Sequence, residues 1–229
     1  MMKELLDFLR QLDANNNRIW FDEHRAEWLR LKRAIAGFTE ELIAGISTFD
    51  ASVGGLRAQD CTFRIARDTR FSKDKTPYKN WIGLYIAPHG RHGGYAGYYL
   101  HISPNDDGLI GQHMLVPGLY CPEPVVLRSV REEILDHGDE LQKHIDLAAK
   151  HGYELDRSSA LKRTPTGFPT GTPHDDLLRL KDIYVAKPLT EEFLLGDRLV
   201  ERIVDELRPT YPLIDQLNRA VQYAYEEMR

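Results

Sequence analysis

From residue 81 to residue 116 the chain alternates strand-like runs with turns that leave no room for a crossover. Trp81–Ala87 (WIGLYIA), Tyr95–Ser103 (YAGYYLHIS) and Leu109–Val116 (LIGQHMLV) are short apolar or alternating segments of strand type. Pro88–Gly94 (PHGRHGG) and Pro104–Gly108 (PNDDG) separate them with residues that favour tight turns. Parallel neighbours need a connection of a dozen residues or more, so these strands are expected to pair antiparallel. In the middle run Tyr98, Leu100 and Ile102 alternate against Tyr99, His101 and Ser103. A fourth strand is expected at Cys61–Ala66, with Cys61, Phe63 and Ile65 facing the core and Thr62, Arg64 and Ala66 facing away.

Helical periodicity occupies both ends. Leu5, Leu6, Leu9 and Leu12 predict a helix over Lys3–Leu12. Asn17 is placed to cap a second helix running to about Ile46, whose stripe includes Trp20, His24, Trp28, Ile35, Phe38 and Ile46. Such a stripe reads as core, with Trp28 and Phe38 inside it. Pro124 opens a helix, and Asp139–His151 predicts another ending at Gly152. Leu161–Pro173 reads as a loop, His174–Leu180 as a short helix and Ile183–Ala186 as an edge strand. Thr190 caps the first of two carboxy-terminal helices, separated by Pro209 and Pro212. Strands in the middle and helices at the ends predict an α+β fold: a mainly antiparallel sheet covered by N-terminal and C-terminal helices. Residues 1–229 are expected to form a single domain, helical over 1–50, strand-rich over 58–118 and helical over 123–229.

The 42% hydrophobic and 28% charged content is that of an ordinary globular chain. The first residues, MMKELLDFLRQLD, have no uninterrupted apolar core, which argues against a signal peptide. No apolar run reaches membrane-spanning length, so a cytoplasmic location without membrane contact is expected. Cys61 and Cys121 share no CxxC spacing, so zinc and redox motifs are not indicated.

One segment departs from this average. FRIARDTRFSKDKTPYK, Phe63–Lys79, carries Arg64, Arg67, Arg70, Lys73, Lys75 and Lys79 against Asp68 and Asp74, a net of +4 in a chain of -5 that leaves -9 for the rest. Arginine presents a planar fork matched to phosphate and carboxylate, and lysine adds point charge. The segment is therefore a candidate anion-binding loop, although it lacks the glycines of a phosphate-binding P-loop. Lys162 and Arg163 form a second basic pair in a loop bounded by Pro165 and Gly167, and they are expected to join the first cluster on one concave surface. The alternative is internal: Arg67 and Arg70 pin the loop to carboxylates such as Asp175 and Asp176.

The same segment resembles the signature of a widespread family of conserved bacterial proteins, with fungal members, classed as a domain of unknown function. The resemblance extends to Asn15–Phe21 (NNNRIWF), Tyr98–Pro104 (YYLHISP), Leu161–Phe168 (LKRTPTGF) and Asp175–Asp182 (DDLLRLKD). It implies a shared fold and brings no activity with it.

The remaining chemistry is sparse. Asp68 and His101 are the candidate acid–base groups. His89 and His92 lack further ligands at matching spacing, so no metal and no cofactor is expected. His101 and His113, on neighbouring strands, are placed to face each other. Ser72 and Ser103 lack a nucleophile elbow, and no GxGxxG is present. Two functional classes remain open beside a structural or partner-binding role. One is binding of, or catalysis on, a phosphorylated or carboxylated small molecule. The other, less favoured by the acidic total charge, is a nucleic-acid backbone module using Phe71, Tyr78 and Trp81 as stacking platforms.

Overall fold

The amino-terminal leucines do form a helix, α1 (Met2–Ala14), with Leu5, Leu6, Leu9 and Leu12 fully buried. The computed structural model describes residues 1–105 and 111–228. Asn17 caps the next helix, α2 (Arg18–Glu23), its side chain accepting the Trp20 N–H at 3.0 Å. The single helix expected up to Ile46 is broken at His24 (φ -100°, ψ 11°) and resumes as α3 (Arg25–Ser47). The His24 ring stacks on Trp20 at 3.9 Å, and its Nδ1 lies 2.8 Å from the Trp20 carbonyl, an oxygen the helix ladder would otherwise use alone. Leu31, Ile35, Phe38, Leu42 and Ile46 of α3 are buried, while Trp28 is half-buried against Phe8 and Phe21.

A short helix, α4 (Ala58–Cys61), takes in Cys61, the first residue of the strand expected over Cys61–Ala66. Asp60 accepts from the Arg57 backbone N–H at 3.2 Å and from its guanidinium at 3.1 Å, which fixes a helical turn in front of residue 62. Residues 62–66 are extended but shared between two partners, with isolated bridges Thr62 to Leu84 and Ala66 to Tyr78. The sheet proper comprises β1 (Ile82–Ile86), β2 (Gly97–Ile102), β3 (His113–Leu119), β4 (Glu154–Leu155) and β5 (Ile183–Pro188). All pairs are antiparallel, in the order β1-β2-β3-β5-β4. β5 is thus internal rather than an edge strand, because the two-residue β4, too short to read from sequence, pairs outside it. Asp106–Gly108 of the expected turn, and Leu109 and Ile110 of the expected strand, lie outside the described residues. β3 runs on through Pro117 and Gly118, which a sequence reading takes as a stop.

The two helices expected after Pro124 form one element, α5 (Pro124–Lys150), interrupted at His137 (φ -134°, ψ 27°). The chain continues through α6 (Asp175–Leu178), α7 (Glu191–Leu195), α8 (Leu199–Leu207) and α9 (Tyr211–Glu227). Thr190 caps α7 by accepting the Phe193 N–H at 3.1 Å. α5 packs along α9, α3 packs on α8, and α9 rests on β3.

The sheet has two unlike faces. Leu84, Ile86, Tyr98, Leu100, Leu115 and Val185 point into the helices and are buried. On the other face Tyr85, Tyr99, Met114, Val116 and Tyr184 are only half-buried. The α+β architecture expected from the segregation of strands and helices is therefore observed, with the sheet capped by helices from both ends of the chain. No helix among the described residues is long and apolar enough to cross a membrane.

Candidate functional site

The basic segment leaves α4 as one limb of a narrow ribbon and returns as the other. Arg67 N–H bonds to the Pro77 carbonyl at 2.9 Å, and Lys79 N–H to the Ile65 carbonyl at 2.8 Å. The returning limb is clasped by the α1–α2 junction: the Asn16 amide accepts from Tyr78 N–H at 3.1 Å and donates to Tyr78 O at 2.9 Å. The Tyr78 ring stacks on Phe21 at 3.9 Å and 14°. Asp13 ties in the next turns, accepting from Asn80 at 3.0 Å and Asn105 at 2.8 Å.

Two of the six cations are neutralised by carboxylates of the same loop. Arg67 pairs with Asp74 and bonds to the Thr76 hydroxyl. Arg70 forks onto Asp68 at 2.7 Å. Asp74 is held down at about 2, first by the Thr76 backbone N–H and then by Arg67. Asp68 is lowered chiefly by the Arg70 side chain, which suits a fixed counter-charge better than a proton shuttle at neutral pH. The counter-charges expected at Asp175 and Asp176 serve elsewhere: Asp175 accepts from Gly171 and Thr172 N–H at 2.9 Å, and Asp176 pairs with Arg179. Lys75 turns back onto the Thr69 carbonyl at 2.8 Å, while Lys73 is exposed.

Lys79 differs from these. Its ammonium lies 4.4 Å from the Trp81 ring centroid and 5.4 Å from that of Phe63. Burial, and then the charges of Arg64 and Arg67, push its pKa below the ordinary lysine value. Among the described residues no carboxylate lies at ion-pair distance from Arg64 or Lys79, although Asp68 feels the charge of Arg64. Behind this seat stands the half-open sheet face. Tyr99 meets Phe63 edge-on at 6.3 Å, its hydroxyl lies 3.0 Å from His101 Nδ1, and His101 packs 5.1 Å from Trp81. Gly83 lets the Tyr99 and Trp81 rings pack down on β1: a Cβ there would stand 2.7 Å from the Tyr99 hydroxyl and 3.1 Å from the Trp81 ring.

A family model described as a conserved hypothetical protein, DUF2461, matches residues 4–215. The chain belongs to that family. No curated protein and no solved structure matches it. The DUF2461 match spans the clasp, the ribbon and the sheet face alike.

Other predicted residues of this DUF2461 chain fall apart in space. Lys162 and Arg163 are exposed in a loop anchored by Leu161 N–H to Arg179 O at 2.8 Å and by Phe168 beneath Arg131, and no described contact joins them to the ribbon. His113 sits opposite Ile102 in register, so it faces away from His101. Among the described residues no group of three or more His, Cys, Asp or Glu could hold a metal ion. The clasp by Asp13 and Asn16 and the seat formed by Phe63 and Trp81 are not legible from residue types alone. The resemblance at Asn15–Phe21 is the one signal that points to the clasp.

Proposed function

We propose that this protein binds a small molecule carrying a phosphate or carboxylate group, at the seat formed by Arg64, Lys79, Phe63 and Trp81 on the half-open face of the sheet. The observation that carries the reading is Lys79, a partly desolvated ammonium placed beside two arginines. Burial first, and the nearby cations after it, disfavour the charged lysine, and an anion with an apolar body would relieve the cost. Arg67 is already held by Asp74 and Thr76, which leaves Arg64 as the arginine of the seat. Tyr99 offers a hydroxyl on the floor with His101 behind it, so His101 remains the candidate proton-handling group if the bound molecule is also transformed. Both cysteines are free thiols, Cys121 on the surface, which fits a reducing cytoplasmic setting.

Lys79→Met keeps the aliphatic stem on the two rings and removes the charge. The variant should melt at the wild-type temperature or above it, because a strained cation is gone. Inorganic phosphate, pyrophosphate and a panel of phosphorylated and carboxylated metabolites should raise the melting temperature of the wild type and leave Lys79→Met unmoved. A wild type indifferent to every anion, with Lys79→Met markedly less stable, would overturn the site.

A second reading is favoured by the Arg67–Asp74 and Arg70–Asp68 pairs, in which the loop is internally satisfied and serves as structure or as a partner contact. Nucleic-acid stacking has less support, because Tyr78 is stacked on Phe21 and Trp81 lies under Lys79. That leaves Phe71, 96% exposed, as the open ring of the three.

A further inference from the structure

A concavity of about 490 Å³ opens at the other end of β1, between the turn after α3, the β1–β2 loop and one face of α9. Its size is within the range that holds a small ligand. On α9 the lining residues follow one another at helical steps, Tyr211, Asp215, Asn218, Gln222 and Tyr225, so a single face of that helix forms the wall. Asn218 fastens this wall to the sheet, accepting from Ala96 N–H at 2.8 Å and donating to Ala96 O at 3.1 Å. The opposite wall is Asp50, 3% exposed, with one carboxylate oxygen receiving the Tyr98 hydroxyl at 2.9 Å and the other the Ser52 N–H at 3.0 Å. The loop is drawn in tightly. His89 takes a left-handed conformation (φ 63°), and Gly94 (φ 76°) lies where any Cβ would run into the Tyr225 hydroxyl.

The lining chemistry is the reverse of the basic seat. Asp50, Asp215 and Glu226 face one permanent cation, Arg219, which is drawn toward Glu140 at 3.6 Å and Asp215 at 3.9 Å. Three tyrosines, Tyr95, Tyr211 and Tyr225, supply ring faces, with Tyr95 and Tyr225 centroids 5.7 Å apart. Asp215 is paired with Arg219 and Glu226 accepts from Gln222 at 2.8 Å, yet the three carboxylates outnumber the one cation, and aromatic faces beside such an excess recognise organic cations through the ring quadrupole and direct charge pairing.

We propose that this cleft is a binding site for an organic amine, a primary ammonium or a small polyamine. It is independent of the anion seat: Lys79 precedes β1 and Pro88 follows it, so the five residues of the strand separate the two by roughly 15–20 Å. A site of each charge on one molecule suits a protein that holds two reactants or a reactant and an effector, and either can be occupied alone.

The test is a calorimetric and NMR titration of the full chain with putrescine and with tetramethylammonium, using succinate as the anionic control of similar length. Saturable binding of at least one cation, absent with succinate, is expected, with shifts at the ring resonances of Tyr95 or Tyr225. Asp215→Asn alters an exposed position and should weaken cation binding about fivefold, the size expected from losing one partly solvated charge pair. Lys79→Met should bind the cations as the wild type does, which separates this site from the anion seat. No saturable binding of either cation, or unchanged affinity in both Asp215→Asn and Tyr225→Leu, would overturn the proposal.

Discussion

Arg67 is held at two points of its own loop, the Asp74 carboxylate and the Thr76 hydroxyl, and this small constellation sets the shape of the ribbon tip. Asp74 ionises at about 2 in the fold against an ordinary 3.8. A depressed carboxyl contributes order that is fully present above 3.8 and is lost as the pH falls through about 2. The carboxyl carbon resonance of Asp74 should therefore titrate near 2, and a midpoint near 3.8 would mean that the loop does not close on it. At neutral pH Asp74→Asn should leave the melting temperature close to wild type, since the pair is exposed, while speeding tryptic cleavage at Lys73 and Lys75. The charge density of this segment was plain in its residues, but the choice of partners was not. Arg67 finds a carboxylate seven residues on because the ribbon doubles back through the Ala66–Tyr78 bridge. Phe63 shows the opposite failure: alternation with Cys61 and Ile65 predicts it inside, yet its neighbours are buried while Phe63 turns to Tyr99 and Lys79.

At the scale of elements, His113 opens β3 almost fully buried, with its Nδ1 accepting the Ser103 N–H at 3.3 Å. Burial first, and Arg10 after it, push this histidine below its ordinary 6.5, with Glu191 acting the other way. The unfolded chain therefore binds the proton more readily. The stability this neutral ring contributes is complete above 6.5 and is lost as the pH falls through the lower folded value. Unfolding free energy measured in denaturant should decline from pH 7 to pH 5, and His113→Asn, which keeps an acceptor but cannot titrate, should flatten the decline. An equal slope in both proteins would place the titration elsewhere. Element types were largely legible because periodicity is strong in α1, α3, β1 and β2. Boundaries were not, wherever one side chain competes with the ladder. His24 divides α2 from α3, and the helical turn made by Asp60 takes in Cys61, where alternation placed the start of a strand.

Across the whole molecule the sheet is assembled from two sources. β1, β2 and β3 are successive in the chain, whereas β5 reaches β3 only after α5, β4 and α6 have been traversed. Closing that long loop carries an entropy cost that local pairing does not. Val185 is fully buried in β5 and pairs with Leu155 of β4. Val185→Ala should cost about 2 kcal/mol. Stopped-flow kinetics should show that loss as faster unfolding at a nearly unchanged refolding rate, while Leu100→Ala in β2 slows refolding. Equal slowing of refolding by both would contradict a late-joining β5. The order β1-β2-β3-β5-β4 thus carries a history. As the chain leaves the ribosome, the ribbon with Lys79 and its aromatic seat emerges beside the β1–β2–β3 meander well before β5 exists. During that interval the edge of β3 that β5 later covers is an open ladder.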